Sequence, residues 1–130
     1  DDEAWYKRGN ALGKLGRLEQ AIASYDKALE IKPDKDEAWY NRGLALDQLR
    51  RLEEAITSYD KALEIKPDKE EAFYNKACCY SLQNNIKQAI ENLKQAITLN
   101  PKRYIEMAKT DTDFDAIRNH KRFQELIHNS

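Results

Sequence analysis

The chain has 130 residues, a length that fits one domain. Its 22 basic and 23 acidic residues leave a net charge of −1, so the charge balance favours neither a nucleic-acid nor a membrane partner. Hydrophobic residues (41%) and charged residues (35%) occur in the proportions expected of long helices that show one face to water. No apolar run approaches the length of a membrane span, and no signal-peptide pattern is present.

The first two predicted helices span residues 2–15 and 18–31. Trp5, Gly9 and Leu12 recur at three- and four-residue spacing, which is typical of a helix with one buried face. Gly16 supplies the turn between the two helices, and Pro33 prevents the second from continuing. The two helices therefore form an antiparallel pair.

The same pattern returns with a period of 34 residues. Segments 2–35 and 36–69 differ at seven positions and agree at the other 27 of 34, whereas segment 70–103 is a weaker copy. The weaker copy shares eight residues with the second segment, namely Glu71, Ala72, Tyr74, Asn75, Ala89, Ile90, Ala96 and Pro101. A fixed period of this length predicts stacked helix pairs, none of which can bury its apolar face alone. The later helices are expected at residues 36–49, 52–65, 70–83 and 86–99.

The starts and turns of these later helices also have sequence signals. Asp34 stands three residues before Glu37, and Asp68 three before Glu71, which is the spacing of a capping box. The turns that correspond to Gly16 are predicted at Arg50-Arg51 and Asn84-Asn85.

Large, small and proline positions persist through the three units. They are the aromatic set Trp5, Trp39 and Phe73, the small set Gly9, Gly43 and Ala77, the large set Tyr25, Tyr59 and Leu93, and the closing prolines Pro33, Pro67 and Pro101. Small side chains that face large ones allow two helices to pack closely. This pattern resembles the tetratricopeptide repeat (TPR) over residues 2–103. It departs from the family pattern at Arg8, Arg42 and Lys76, where the family has Leu, and at Leu12 and Leu46, where it has Tyr.

The resemblance implies an all-α fold, a right-handed superhelical stack of antiparallel helix pairs. We predict one domain over residues 1–130, made of repeats 2–35, 36–69 and 70–103 and a capping tail, 104–130. Because Asp1 begins the chain inside what the later repeats use as a helix start, we interpret the sequence as a fragment of a longer array.

The tail is expected to cover the last repeat. Residues 102–109 take the place of a fourth first helix, and Asp111 stands where the repeats have Gly or Ala, so repeat packing should end there. The apolar residues beyond it predict a short helix near 114–118 and a final one near 120–128, packed on the third repeat. An alternative is that the tail lies in the groove of the stack as an internal ligand.

Two patterns suggest metal or redox chemistry and fail for different reasons. The run Asp111-x-Asp113-x-Asp115 resembles the start of a calcium loop but lacks its Gly and its Glu, so we interpret Asp113 or Thr112 as a helix cap. Cys78 and Cys79 point about 100° apart on a helix. We expect Cys79 to be a buried filler and Cys78 to lie on an exposed face.

The sequence predicts no enzyme. No serine has a histidine base beside it, and no glycine-rich loop follows a strand. We expect no catalytic residue, no metal site and no cofactor. Two adjacent cysteines do not make a disulfide framework, which favours a cytoplasmic location.

The positions that differ between the first two repeats are clustered. Four pairs lie at i, i+3, i+6 and i+7 of the first helix, namely Lys7/Asn41, Asn10/Leu44, Gly13/Asp47 and Lys14/Gln48. The other three are Gly16/Arg50, Gln20/Glu54 and Ala23/Thr57. One stripe changes while the framework is held, and the resemblance implies that this stripe lines a ligand groove. The alternative is that exposed positions drift anywhere.

We therefore predict a groove that binds a partner protein. Its residues are Tyr6, Lys7, Asn10, Lys14, Tyr40, Asn41, Leu44, Gln48, Tyr74, Asn75 and Cys78. The three tyrosines are of a type enriched at interfaces, and they also suit packing between neighbouring first helices. A protein or peptide segment is the expected partner. The alternative function is an architectural spacer that self-associates through its exposed repeat ends.

Some TPR domains bind chaperone tails through a carboxylate clamp. The residues of this chain can be compared with those of the clamp one by one. Asn10 and Asn41 match the two asparagines of the clamp, whereas Tyr6, Glu71 and Asn75 stand in place of its three cations. Without these cations, an acidic C-terminus should bind weakly. We expect an internal segment of mixed charge, extended or helical.

Overall fold

The computed structural model describes residues 1–128 and is helical, with no β-strand in that range. Its helices are α1 (Asp2–Lys14), α2 (Leu18–Ile31), α3 (Asp36–Gln48), α4 (Leu52–Ile65), α5 (Glu70–Leu82), α6 (Ile86–Leu99), α7 (Pro101–Thr110) and α8 (Lys121–His128). A 3₁₀ turn, Thr112–Phe114, lies between the last two. The first six helices end within one residue of their expected bounds. None of the described helices is long and apolar enough to cross a membrane.

The chain divides into two compact units, Asp1–Pro67 and Asp68–Ser130. The first unit contains α1 to α4, and the second contains α5 to α8 together with the 3₁₀ turn. In each repeat the two helices pack against each other, and in the first unit α2 also packs against α3.

In the first unit, each helix pair closes around a glycine and a tyrosine ring. A Cβ atom added at Gly9 would lie 2.6 Å from Cε1 of Tyr25, and one added at Gly43 would lie 2.5 Å from Cε1 of Tyr59. Both distances are far below van der Waals contact, so the close approach of the helices requires glycine at both positions.

Three hydrogen bonds from α3 hold it to its surroundings: one to the loop after α2, one to α2 and one to α4. Trp39 Nε1 donates to the carbonyl oxygen of Pro33 at 2.9 Å. The guanidinium of Arg42 donates to Asp26 at 2.7 Å and to the buried Oγ of Ser58 at 2.7 Å. Arg42 therefore links α3 to both neighbouring helices.

The predicted turns are confirmed. Gly16, Arg50 and Asn84 have φ angles of 76°, 60° and 59°, in the left-handed region that ends many helices. After each turn residue, the next amide bonds back into the helix, as Arg17 N–H does to the Leu12 carbonyl at 2.9 Å.

The two predicted capping boxes are wrong. Helix α3 begins after Lys35 and α5 after Lys69, and neither N-cap side chain makes a capping hydrogen bond. Asp34 and Asp68 stand one residue too early to cap. Within the described residues, side-chain caps start other helices, from Asp1, Asn85 and Asn100.

In the second unit, the tail packs on the third repeat as predicted. Phe114, Ile117, Phe123 and Ile127 are at most 5% exposed and join one apolar cluster with α5 and α6. Helix α7 ends at Thr110, directly before Asp111, the residue at which the repeat packing was expected to stop.

The details of the tail differ from the prediction. The short helix is the turn at 112–114 and not a helix near 114–118, and its cap is Asp111 rather than Asp113 or Thr112. Arg118 explains the shift, because its guanidinium donates to the backbone carbonyls of Ala108, Lys109 and Asp111 and holds the chain in a tight bend.

Candidate functional site

An open cleft of about 390 Å³ lies between α1 and α3 of the first unit. Five predicted groove residues line it, namely Asn10, Lys14, Asn41, Leu44 and Gln48. The other lining residues are Gly13, Leu18, Tyr25 and Ala45. The first helices of two successive repeats thus bring their varied stripes together at this cleft.

Two asparagine side chains in the cleft are fixed by hydrogen bonds. Asn10 Oδ1 accepts from the Tyr25 hydroxyl at 2.7 Å and from Asn41 Nδ2 at 3.2 Å. Asn41 Nδ2 also donates to the Tyr6 hydroxyl at 2.9 Å. Since an amide nitrogen carries two protons and an amide oxygen two lone pairs, these bonds use up the Asn41 nitrogen and the Asn10 oxygen. The Asn41 oxygen, and at least one proton of the Asn10 nitrogen, are left for a ligand.

Two of the differences between the repeats follow from the need to satisfy one buried tyrosine hydroxyl. In the first repeat the Tyr25 hydroxyl donates to Asn10. In the second repeat Leu44 replaces that asparagine, and the Tyr59 hydroxyl donates instead to Asp47 at 3.4 Å. Asp47 occupies the position of Gly13. The pairs Asn10/Gly13 and Leu44/Asp47 are therefore alternative ways to provide one acceptor.

Burial shapes the acid–base properties of the tyrosines at the cleft. Burial, and then the neighbouring Tyr6, raise the pKa of Tyr25 to about 12. Burial also raises the pKa of Tyr6, against the opposing effect of hydrogen bonds from Asn10 and Asn41. Both hydroxyls therefore keep their protons at neutral pH and act as neutral hydrogen-bonding groups.

A lysine at one end of this region is paired with acidic residues. Lys35 Nζ lies 2.8 Å from Glu3 and 3.8 Å from Asp2, and it stands 4.7 Å from the centre of the Tyr6 ring. Its hydrogen bond to Glu3 is the main reason that its pKa is raised. The Lys35 charge is thus already compensated.

The remaining predicted residues of the first unit lie outside the cleft lining. Lys7 is exposed on α1, on the same stripe as Asn10 and Lys14. Tyr40 is half-buried, with its ring centre 5.7 Å from that of Tyr59. Tyr40 therefore supports the packing of the second repeat.

In the second unit, the equivalent stripe is covered by the tail. Tyr74 is 3% exposed, its ring stacks on Tyr104 at 5.1 Å, and its hydroxyl donates to Asp111 Oδ2 at 2.7 Å. Cys78 is 2% exposed, so the expectation of an exposed face there was wrong. The tail segment around Asp111 and Phe114 covers it. Asn75 is half-buried.

Cys78, Asp111 and Asp113 each bring one potential metal ligand atom within 4.8 Å of the others. The Asp111 carboxylate, however, already accepts hydrogen bonds from the Tyr74 hydroxyl and from the amide of Asp113. We assign this cluster to the anchoring of the tail.

Sequence reasoning did not select Gly13, Leu18, Tyr25 and Ala45 as site residues. Gly13 was available as a varied position, and its exchange with Asp47 is linked to that of Asn10 with Leu44. Leu18 and Tyr25 belong to α2, and the way they reach the cleft depends on how that helix packs. No periodic pattern on α1 and α3 alone could reveal them.

Two family models match the chain. Both describe the tetratricopeptide repeat, one over residues 4–70 and the other over residues 70–103. A comparison with curated proteins found no match.

Several solved structures are similar. YrrB, a TPR protein with an unusual peptide-binding site, is 27% identical over 84% of this chain, with a TM-score of 0.77. This chain spans 57% of the YrrB chain. MamA 41-end from Desulfovibrio magneticus RS-1 matches 100% of this chain and 77% of its own at 23% identity, with a TM-score of 0.76.

A further similar structure contains a peptide. It is the first TPR of Spaghetti (RPAP3) bound to the HSP90 peptide SRMEEVD, which is 15% identical over 96% of this chain and 89% of its own, with a TM-score of 0.76. At this identity, and at that of MamA, the likeness is one of fold.

Proposed function

Because the chain belongs to the tetratricopeptide repeat family, a generally non-catalytic protein-interaction fold, we propose that it binds a segment of a partner protein in the cleft of its first unit. The proposal places the contact at Asn10, Lys14, Asn41, Leu44 and Gln48.

The oriented asparagine pair carries this proposal. Asn10 offers an amide proton and Asn41 offers an amide oxygen, in adjacent positions and with their other groups already bonded. A peptide group presents the complementary pair, a carbonyl acceptor and an N–H donor. An extended backbone laid along the cleft can therefore satisfy both asparagines without the cost of reorienting them.

The YrrB structure supports the same type of ligand, since YrrB is a TPR protein with a peptide-binding site. The partner of this chain is a separate question, because the chain spans only 57% of YrrB.

Removing the open acceptor tests the proposal. Asn41→Ala deletes the Asn41 oxygen and also frees Asn10 and Tyr6, so captured partner should fall by about tenfold or more in quantitative mass spectrometry. Thr57→Ala is the control, because Thr57 is exposed and lies outside the cleft. The equivalent position in the first repeat is already alanine, Ala23. Equal capture by wild type and Asn41→Ala, with both folded, would refute a peptide site in the cleft.

An acidic chaperone tail should be a poor ligand. The three clamp cations are replaced by Tyr6, Glu71 and Asn75, so no charge-assisted hydrogen bonds to a terminal carboxylate are available from those positions. The peptide SRMEEVD should therefore show no saturable binding below millimolar concentration in calorimetry. Micromolar binding that is lost on Asn41→Ala would restore the clamp.

The proposal includes no catalytic activity and no nucleic-acid or membrane partner, consistent with the balanced charge. It also includes a cytoplasmic location, which the adjacent cysteines favour over an oxidising compartment.

A second candidate function is self-association through the outer face of α1. The equivalent face of α3 is covered by α2, so that Ala38 is fully buried where Ala4 is exposed, and Leu49 is half-buried where Leu15 is 69% exposed. A helix that resembles α2 could cover the same positions on α1. Sedimentation should then show mass that rises with concentration, and Leu15→Glu should abolish the rise. A monomer at every concentration would remove this candidate.

A further inference from the structure

Gly13 has no structural reason to be glycine. It lies in α1 with an ordinary helical backbone, and a Cβ atom added there would meet no atom within 4 Å. Gly9 and Gly43, by contrast, would collide with tyrosine rings. Glycine inside a helix is less stable than alanine, so Gly13 lowers stability without improving the packing. The surface above it is part of the cleft.

The absence of a side chain at Gly13 shapes this part of the cleft into a slot. Gly13 on α1 and Ala45 on α3 contribute almost no bulk, while Leu18 and Leu44 provide apolar walls. The second repeat has Asp47 in place of Gly13, so a carboxylate would enter the slot if the repeats were identical. A slot with two leucine walls and no side chain at Gly13 suits one large apolar side chain, while the polar residues of the same cleft are available to the peptide backbone.

The charge beside the slot is positive. Lys14 lines the cleft and Lys7 lies on the same face of α1, about 9 Å away from Gly13 along the helix at 1.5 Å per residue. Neither lysine forms a salt bridge with any residue in the described range 1–128. The other charges nearby are compensated, Lys35 by Glu3 and Asp47 by Arg50.

We propose that the slot above Gly13 binds a large apolar side chain of an extended partner segment, and that Lys7 and Lys14 bind acidic residues on either side of it. This inference rests on the proposed peptide site and specifies its ligand. In an extended chain, side chains two residues apart point the same way and are about 6.7 Å apart. The ligand pattern is therefore acidic-x-apolar-x-acidic, with the peptide groups between them at Asn10 and Asn41.

A blocked heptapeptide with the order Thr-Glu-Thr-Leu-Thr-Glu-Thr is the probe, titrated into the full chain and followed by amide NMR shifts. Seven residues are too few for a stable helix, so the probe samples extended states. We expect saturable shifts at Asn10, Gly13, Lys14 and Gln48. Gly13→Ala should weaken binding by about tenfold or more without lowering the melting temperature, because the added methyl group takes space that the apolar side chain of the ligand would occupy.

Matched variants separate the two parts of the ligand. Lys14→Gln should weaken binding of the Glu peptide and leave a Gln analogue unaffected, whereas replacing the central Leu by Ser should abolish binding of both peptides. Thr57→Ala should change nothing.

The outcomes distinguish this inference from the proposed function. If the peptide binds and Asn41→Ala weakens it while Gly13→Ala does not, the slot is wrong and the peptide site stands. If neither variant weakens binding, the peptide site fails as well. No saturable binding of the Leu peptide would overturn the acidic-apolar pattern, and partner capture by Asn41→Ala would still decide the peptide site.

Discussion

At the scale of single residues, one tyrosine hydroxyl explains two of the seven differences between the first two repeats, Asn10/Leu44 and Gly13/Asp47. Tyr25 and Tyr59 are buried in equivalent positions, and their hydroxyls donate to Asn10 in the first repeat and to Asp47 in the second. The sequence shows that these positions vary. It does not show that they vary together, because the link is made by a side chain from the second helix of each pair.

The glycine at the helix crossing is coupled to the same tyrosine in a way that the third repeat reveals. Gly43 lies under the ring of Tyr59, whereas the third repeat has Ala77 with Leu93, both fully buried. A leucine lacks the ring atoms that would collide with a Cβ. We predict that Gly43→Ala lowers the free energy of unfolding by about 1–3 kcal/mol, as overpacking does elsewhere. Urea denaturation measures the change.

The double mutant tests the cause of that loss. Tyr59→Leu should remove the clash that Gly43→Ala creates, so that the two changes together cost less than the sum of each alone. Gly13→Ala is the matched control, since its Cβ meets no neighbour, and it should not destabilise. Additive effects of Gly43→Ala and Tyr59→Leu would contradict this account of the crossing.

At the scale of helices, the period of 34 residues predicted where the first six lie but not how they begin. Apolar periodicity and the turn residues locate a helix because both act locally. The capping boxes failed because Asp34 and Asp68 are one residue away from the true N-caps, Lys35 and Lys69. The spacing of a motif does not fix its register on the helix.

The tail shows the same limit. Its apolar residues predicted a cover on the third repeat, but the bend that Arg118 stabilises depends on three backbone carbonyls and has no sequence signature. The burial of Cys78 followed from that bend, because it places Asp111 and Phe114 over α5. Contacts between distant segments therefore decided which part of the predicted groove remains open.

If the tail is a structural cover, its central aromatic residue should matter greatly. Phe114 is fully buried between Tyr74 and Phe123, with ring centres 5.7 Å and 5.5 Å away. Phe114→Ala should lower the free energy of unfolding by about 3–5 kcal/mol, which a thermal melt would detect as a large shift. Met107→Ala is the control, because Met107 is 39% exposed and should cost far less. Equal effects would show that the tail does not contribute to the core.

At the scale of the whole molecule, the two units present the same helical stripe in opposite ways. In the first unit, Asn10, Lys14 and Gln48 line an open cleft. In the second unit, the equivalent positions around Tyr74 and Cys78 are buried under the chain's own tail. This contrast is why we propose partner binding in the first unit, whereas in the second unit the tail closes the stripe.

Site-specific photo-cross-linking tests that assignment most directly. A photoreactive phenylalanine analogue at Gln48, an exposed residue at the rim of the cleft, should form an adduct with a partner protein in cell extract, and the adduct should disappear when Asn41→Ala is added. The same analogue at Thr57, exposed on α4, should give no adduct that depends on Asn41. Adducts from Thr57 alone, or adducts from Gln48 that persist in Asn41→Ala, would contradict partner binding in the cleft of the first unit.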